Sequence, residues 1–419
     1  MFLSKKKNDV FLVIDIGTEA IKAVICQENG KEKTSKDKEE NRRIIKGASL
    51  QYFEEVNIFN NFKFQEEIIK KTLRNTLEQL SRNVLSFSFP FKGVYKTIVS
   101  LPPTVLKARV VNIKLSKKEN SFFKNNKEFE EYLFYQARKK ISDNFTEETG
   151  ILPSELEWLK LEIIQRKVNG YLVSSFDNFE KIEAEALIVG IFALRDYLEM
   201  FKRIFRDLKL SEVEIFHLVE ALSFISSEDK NEEAVLFLDI GGIFSQYFFF
   251  RNGFLENIGE VGIGGNIFSR YLADDLGIDE ATARYLKENY DQNLNFSISG
   301  RIKIERILSK PLEEFASFFQ KEVRKEIFNK KVVFSINVFG GGSKLSGIEK
   351  AIKKIFSIKD DLFFYIPQIK IVKGEDYYLV KTILESDSEI EIFSNPQYLP
   401  CLLILTRKMS FPKMKIKEN

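Results

Sequence analysis

A chain of 419 residues is longer than one hydrophobic core usually serves, so two to four domains are expected. Hydrophobic content of 44% and charged content of 30% suit a soluble globular protein, and a net charge of only +3 argues against a nucleic-acid binder driven by bulk charge. Two cysteines, Cys26 and Cys401, stand far apart and give neither metal-ligand spacing nor a disulfide framework, so a reduced, cytosolic setting is expected.

Phe11-Leu12-Val13-Ile14 predicts a buried strand over 10–15 that breaks into Asp15-Ile16-Gly17-Thr18, and Ala20–Cys26 predicts its hairpin partner. Lys31–Arg43 is charged and nearly free of apolar residues, which predicts a hairpin tip. Ile68, Ile69, Thr72, Leu73, Thr76, Leu77 and Leu80 recur at helical spacing, so 65–82 is an expected amphipathic helix. Tyr95–Leu101 predicts a strand stopped by Pro102-Pro103, and Arg109–Leu115 another. Phe129, Tyr132, Leu133, Ala137 and Ile141 mark a helix face, and Glu157–Val168 with Tyr171–Ser175 alternate as a hairpin turned by Asn169-Gly170. Ala186–Ala193 predicts a buried strand, Leu198, Phe201, Phe205 and Leu208 a helix, and Val213–Phe216 a return that fits a parallel crossover.

The second half repeats this plan. Ala234–Leu238 runs into Asp239-Ile240-Gly241-Gly242, followed by a hairpin turned at Arg251-Asn252-Gly253. Helical segments are expected over 266–329. Asn337-Val338-Phe339 runs into Gly340-Gly341-Gly342, and Leu345, Ile348, Ile352 and Ile355 mark the helix beyond. Three times, then, an apolar strand breaks into a glycine turn, and two of the turns open with aspartate. A strand ending in Asp-x-Gly can bring backbone N–H groups and a metal-facing carboxylate up to a polyphosphate. Two such turns facing each other would clamp a nucleotide between two halves of a molecule.

The ordered set resembles the phosphate-1, phosphate-2 and adenosine motifs of the actin/Hsp70/sugar-kinase ATPase superfamily. Asp15-Ile16-Gly17-Thr18 with Lys22, Val261-Gly262-Ile263-Gly264-Gly265-Asn266 with Lys287, and Asn395-Pro396-Gln397-Tyr398 resemble its bacterial branch, which holds the division protein FtsA and the pilus protein PilM. The resemblance covers roughly residues 10 to 405. It implies an α/β, duplicated actin-like ATPase fold with two lobes around a nucleotide cleft and an inserted strand-helix-strand-strand (SHS2, 1C-type) subdomain. That unit is expected at 95–183; its presence argues against a small-molecule kinase on the same fold. The implied division is 1–94 and 184–230 for lobe 1, and 231–265 and 331–394 for lobe 2. A helical part spans 266–330, and 395–419 forms a final helix returning to lobe 1 with a basic tail.

The resemblance also implies ATP and Mg²⁺ as cofactors. Asp15 and Asp239 would be the catalytic pair, holding Mg²⁺ through water and orienting an attacking water. Gly17, Thr18, Gly241, Gly242 and Ser245 would donate to phosphates, Lys22 would reach a phosphate, and Lys287 would touch the ribose or base. Gly340, Gly341 and Gly342 would lie along the adenosine. Ile243 and Phe244 stand where the family keeps small residues, Gln246 stands where Asp or Thr is usual, and Arg284 stands where it keeps a carboxylate. These departures imply slow hydrolysis. His217, the only histidine, and Trp158 read as structural residues.

Met1-Phe2-Leu3 ahead of Lys5-Lys6-Lys7 reverses the order of a signal peptide, and the apolar run Ala186–Leu194 is too short to span a bilayer. The family's partners imply two readings. In the first, an FtsA-like protein assembles with itself as a filament or dimer and links a tubulin-like division ring to the membrane. In the second, a PilM-like cytoplasmic platform of type IV pilus assembly binds the tail of a membrane protein. The basic residues after Thr406 (Arg407, Lys408, Lys413, Lys415, Lys417) would allow a weak peripheral contact with the inner face of the membrane, and no nucleic acid is expected.

Overall fold

The computed structural model describes residues 10–28, 43–54, 65–84, 96–116, 123, 125–177, 183–228, 234–290, 297–327, 335–356, 367–386 and 392–409. Of the hairpin tip expected at 31–43 only Arg43 is described, where it opens a strand; the rest of it, the Lys5-Lys6-Lys7 terminus and the tail beyond Met409 lie outside the described residues.

The first half contains β1 (Val10–Ile16), β2 (Ala20–Glu28), β3 (Arg43–Tyr52), α1 (Glu66–Asn83), β4 (Lys96–Ser100), β5 (Leu106–Ser116), α2 (Asn126–Thr149), β6 (Leu156–Val168), β7 (Tyr171–Leu172), β8 (Glu183–Leu194), α3 (Arg195–Asp207), β9 (Val213–Ile215) and α4 (Leu218–Glu228). The second half contains β10 (Ala234–Ile240), β11 (Ser245–Arg251), β12 (Phe254–Val261), α5 (Asn266–Leu276), α6 (Glu280–Asn289), α7 (Ile298–Ile327), β13 (Ser335–Phe339), α8 (Ile348–Phe356), β14 (Gln368–Ile371), α9 (Tyr378–Ile383), β15 (Leu384–Ser386) and α10 (Leu399–Met409).

The strands form three sheets, ordered β15-β3-β2-β1-β4-β9, β12-β11-β10-β13-β14 and β5-β8-β6-β7. The second order repeats the five strands of the first from β3 to β9. β1 pairs antiparallel with β2 and parallel with β4; β10 pairs antiparallel with β11 and parallel with β13. β1 and β10 take these central places because their apolar runs bury both faces, which suits a strand flanked on each side. The β6–β7 and β11–β12 hairpins turn on Asn169-Gly170 (φ 51° and 83°) and Asn252-Gly253 (φ 49° and 79°), as their sequences predict.

Helices obey the same local rules. α1 buries Ile69, Leu73, Leu77 and Leu80 along one stripe and carries Glu66 and Glu67 in its first turn. Asn125 caps α2 by accepting from the Glu128 amide, and Asp279 caps α6 by accepting from that of Thr282. α10 is buried along Leu399–Leu405 within the core beneath the six-stranded sheet, so the end of the chain returns to its beginning.

Strand pairing revises two expectations. β4 lies in the six-stranded sheet, paired with β1, rather than in the unit expected at 95–183. β8, expected with the first lobe, is the strand between β5 and β6 in the four-stranded sheet. The parallel partner of β9 is therefore β4 and not the strand that precedes it. A continuous apolar run suits the interior of any sheet, so Ala186–Ala193 alone cannot say which sheet holds it. Arg407, expected in the basic tail, sits in α10 with its guanidinium 5.3 Å from the ring centroid of Phe224.

Gly190 seats α2 on the four-stranded sheet. A Cβ there would lie 2.8 Å from both the Ile141 Cδ1 and the Trp158 ring. Gly190→Val is expected to cost about 1–3 kcal/mol by overpacking, read as a lower urea midpoint with an unchanged slope. An unchanged midpoint would show that the helix can shift to make room.

Candidate functional site

The site grows from two copies of one hairpin. In the first, Asp15 lies opposite Lys22 across the strands, and the Gly17 amide donates to the Ala20 carbonyl at 3.0 Å. In the second, Asp239 lies opposite Gln246, and the Gly241 amide donates to the Phe244 carbonyl at 3.1 Å. The turns touch. Thr18 Oγ1 accepts from the Ile243 amide at 3.0 Å, and a Cβ on Gly242 would lie 2.3 Å from the Glu19 Cγ. Only a residue without a side chain permits that approach.

The third glycine turn closes behind Asp239. Gly340 has φ 88°, and a Cβ there would lie 2.1 Å from Asp239 Oδ1. The segment after β12 is tied to the second hairpin, with the Gly265 and Asn266 amides donating to the carbonyls of Gly241 and Gly242, both at 2.8 Å.

A cavity of about 140 Å³ lies between the two repeated sheets, with room for on the order of ten waters. Asp15, Gly17, Thr18, Lys22, Asp239, Gly241, Gly242, Lys287, Gly341 and Gly342 all line it. Two expected residues do not. Ser245 is fully buried and its hydroxyl donates to the Ile263 carbonyl at 2.7 Å, so it braces the turn instead of facing a ligand. Gly340 shapes its turn from behind the cavity wall.

Lys22 is not free in the cleft. Its Nζ lies 2.5 Å from Asp15 Oδ2, and both side chains are about nine-tenths buried. Burial opposes its charge, yet Asp15, Cys401 and Asp239 together hold its pKa above the ordinary lysine value. Lys287 donates to the Gly265 carbonyl at 3.0 Å. Asp239 has no such partner among the described residues. Burial, with Asp15 adding to it and Lys22 opposing, pushes its carboxyl up to about 7. Cys401 lies near the Asp15–Lys22 pair, and burial raises its thiol; both cysteines are free and buried.

The cavity also holds residues outside the set expected from sequence to touch a ligand. Glu19, Tyr52, Gln246, Glu288, Lys344 and Gln397 line it. Glu288 lies one helical turn after Arg284, so a carboxylate does face the cleft from α6, although Arg284 itself does not line it. The spacing of four residues on one helix face is the signal that could have found it.

No three Asp, Glu, His or Cys side chains gather into a metal cage among the described residues. Mg²⁺ seldom uses one, because it keeps several waters and takes one or two carboxylates plus phosphate oxygens. Asp15 and Asp239 in one cavity fit that mode, as does the buried Glu19 Oε1, which has no hydrogen-bond partner among the described residues.

No family model matches the chain, and no curated protein matches it. Solved structures do. A chain of the PilM-PilN type IV pilus biogenesis complex aligns with 95% of this chain and 97% of its own length, at TM-score 0.59 and 14% identity. EutJ, an ethanolamine utilization protein from Carboxydothermus hydrogenoformans, aligns with 86% of this chain and 85% of its own, at TM-score 0.43 and 12% identity. MreB 5 of Spiroplasma citri, bound to AMPPNP, aligns with 87% and 91%, at TM-score 0.40 and 11% identity. The likeness that bears on the fold is the first. The chain has a mixed α/β fold of several sheets, similar over nearly its whole length to that of the PilM-PilN complex chain.

The raised Asp239 carboxyl has a pH signature. Between about pH 4 and 7 the folded chain holds a proton that the unfolded chain releases, so ligand-free stability falls as pH rises through that window and levels above it. Asp239→Asn removes the effect. Its melting temperature relative to the parent is expected to climb from pH 5 to 7 and then stay constant, with a gain bounded by about 4 kcal/mol. A difference that does not change with pH would contradict the assignment.

Proposed function

We propose that the cleft binds ATP with Mg²⁺ and that the chain is an ATP-binding platform protein with slow turnover. The observation that carries this is the pair of matching hairpins whose Asp15 and Asp239 turns meet at one polar cavity. The turn backbones at Gly17–Thr18 and Gly241–Gly242 would receive phosphates, and Gly341 and Gly342 would let the nucleoside lie close to main chain. Asp15 and Asp239 would hold the metal, which when bound offsets phosphate charge in a cleft already rich in carboxylates. Lys22 anchors Asp15 and screens Asp239.

Slow turnover follows from what surrounds the phosphates. Phe244 lines the cavity where the family keeps a small residue, and Gln246 stands across from Asp239 where an acidic residue could have acted as a base. ATP titrated with Mg²⁺ is expected to bind saturably, and Asp15→Ala or Asp239→Ala to weaken binding at least about tenfold. Hydrolysis is expected well below about 10 per second. No binding at millimolar ATP would overturn the reading.

For the biological setting we favour a pilus-type platform that binds the tail of a membrane protein. The likeness to a chain of the PilM-PilN complex across nearly the whole length supports it. No helix of the described residues is long and apolar enough to cross a membrane, so a membrane partner would be reached by docking. The division-type reading, with self-assembly, a tubulin-like partner and a lipid-touching tail, is supported by the Asn395-Pro396-Gln397-Tyr398 element. ATP-dependent pelleting of the purified chain alone would favour division. A chain that stays monomeric with ATP and binds a cytoplasmic tail peptide of a pilus membrane protein would favour the platform.

A further inference from the structure

We propose that Tyr52, gripped by Arg284 and Glu288, is a latch that closes the cleft and sets how long a nucleotide stays. The inference rests on the nucleotide reading of the cavity and adds its regulation. Tyr52 ends β3, in the six-stranded sheet. Arg284 and Glu288 stand one turn apart on α6, whose Ala283 packs in the core of the five-stranded sheet. The latch therefore joins two separately packed bodies across the cavity between them.

Tyr52 is held through both its ring and its hydroxyl. The Arg284 guanidinium carbon lies 5.1 Å from its ring centroid, and Arg284 Nη2 donates to the carbonyl of neighbouring Phe53 at 3.0 Å. Its hydroxyl is hydrogen-bonded to Glu288 and accepts from Gln397 Nε2 at 3.2 Å. Lys344 donates to Gln397 Oε1 at 3.5 Å and extends the chain of contacts to the loop after β13. A cation over the ring and a carboxylate at the hydroxyl are among the stronger polar contacts available to one tyrosine.

Two rows of contacts thus bridge the cleft. The inner row joins Thr18 to Ile243 and Glu19 to Gly242, where phosphates would enter. The outer row is the latch, and Tyr52, Glu288 and Gln397 form part of the cavity wall while Arg284 braces them from outside it. A ligand that parts the inner row can replace those contacts with its own. The outer row offers no such exchange, because Arg284 lies outside the cavity. Widening the cleft enough to pass a nucleoside parts Tyr52 from α6, so the latch slows entry and release together. The arginine that replaces the expected carboxylate at position 284 then has a role: it trades a ligand contact for a clasp.

A chase experiment tests this. Protein loaded with fluorescent N-methylanthraniloyl-ATP and Mg²⁺ is mixed with excess ATP, and release is followed by stopped flow, with association measured separately. Arg284→Ala is expected to speed release about tenfold and Tyr52→Phe, which keeps the ring but loses the hydroxyl, about threefold. Association should quicken in step, so the dissociation constant moves less than either rate. A merely structural role would lower the melting temperature without moving both rates together. Amide exchange over 280–290 without nucleotide gives a second readout, faster in both variants. Unchanged rates in the folded variants overturn the latch, and if Arg284→Ala does not fold, Tyr52→Phe decides. If the parent chain binds no nucleotide, the nucleotide reading falls first; faster exchange over 280–290 then upholds the clasp, and unchanged exchange overturns it.

Discussion

Asp15 and Asp239 share a single lysine at the wall of one cleft. Lys22 sits on the strand opposite Asp15 and takes it as a close partner. The second hairpin repeats the backbone of the first but places Gln246 where Lys22 stands, so it brings no cation of its own. Asp239 is left with only a more distant share of Lys22, and desolvation in the cleft wall makes a carboxylate without a close cation hold on to its proton. The asymmetry leaves Asp239 without a close cation among the described residues. A bound cation would fill that place, and phosphates would in turn complete the cation.

The same asymmetry organises the surroundings. Gln246 is the cross-strand neighbour of Glu260, which pairs with Lys107 at 2.5 Å and Arg109 at 3.5 Å on β5. β12 then runs on into Gly264 and Gly265, which cradle the Gly241–Gly242 turn. The four-stranded sheet is thus tied by charge to the strand that feeds the cleft. His217 lies near these bases; burial, with Arg109 and Lys107 adding to it, holds it neutral, its pKa pushed down to about 3. Its Nδ1 accepts from the Val219 amide at 3.0 Å, a structural bond that opens α4 and matches the structural reading of the lone histidine.

Local features were legible in the sequence because they rest on local physics. The two Asp-x-Gly hairpins, the Asn-Gly turns and the α1 stripe follow from strand alternation, glycine conformations and helical spacing. Sheet membership was less legible, because β4 and β8 are apolar strands whose partners are set by distant packing. Ser245 looked like a phosphate donor by position; a buried hydroxyl takes the nearest carbonyl, and that of Ile263 is in reach. Tyr52 and Glu288 carry no motif, Gln397 belongs to one that gives it no ligand role, and only folding brings residues so far apart in the chain to one wall.

A structure of the chain with a non-hydrolysable ATP analogue and Mg²⁺ tests the central claim most directly. The account predicts phosphates between the Gly17–Thr18 and Gly241–Gly242 turns, with the metal beside Asp15 and Asp239 and the nucleoside along Gly341 and Gly342. An analogue bound elsewhere, or a cleft that stays empty at saturating analogue while the two turns remain in contact, would contradict it.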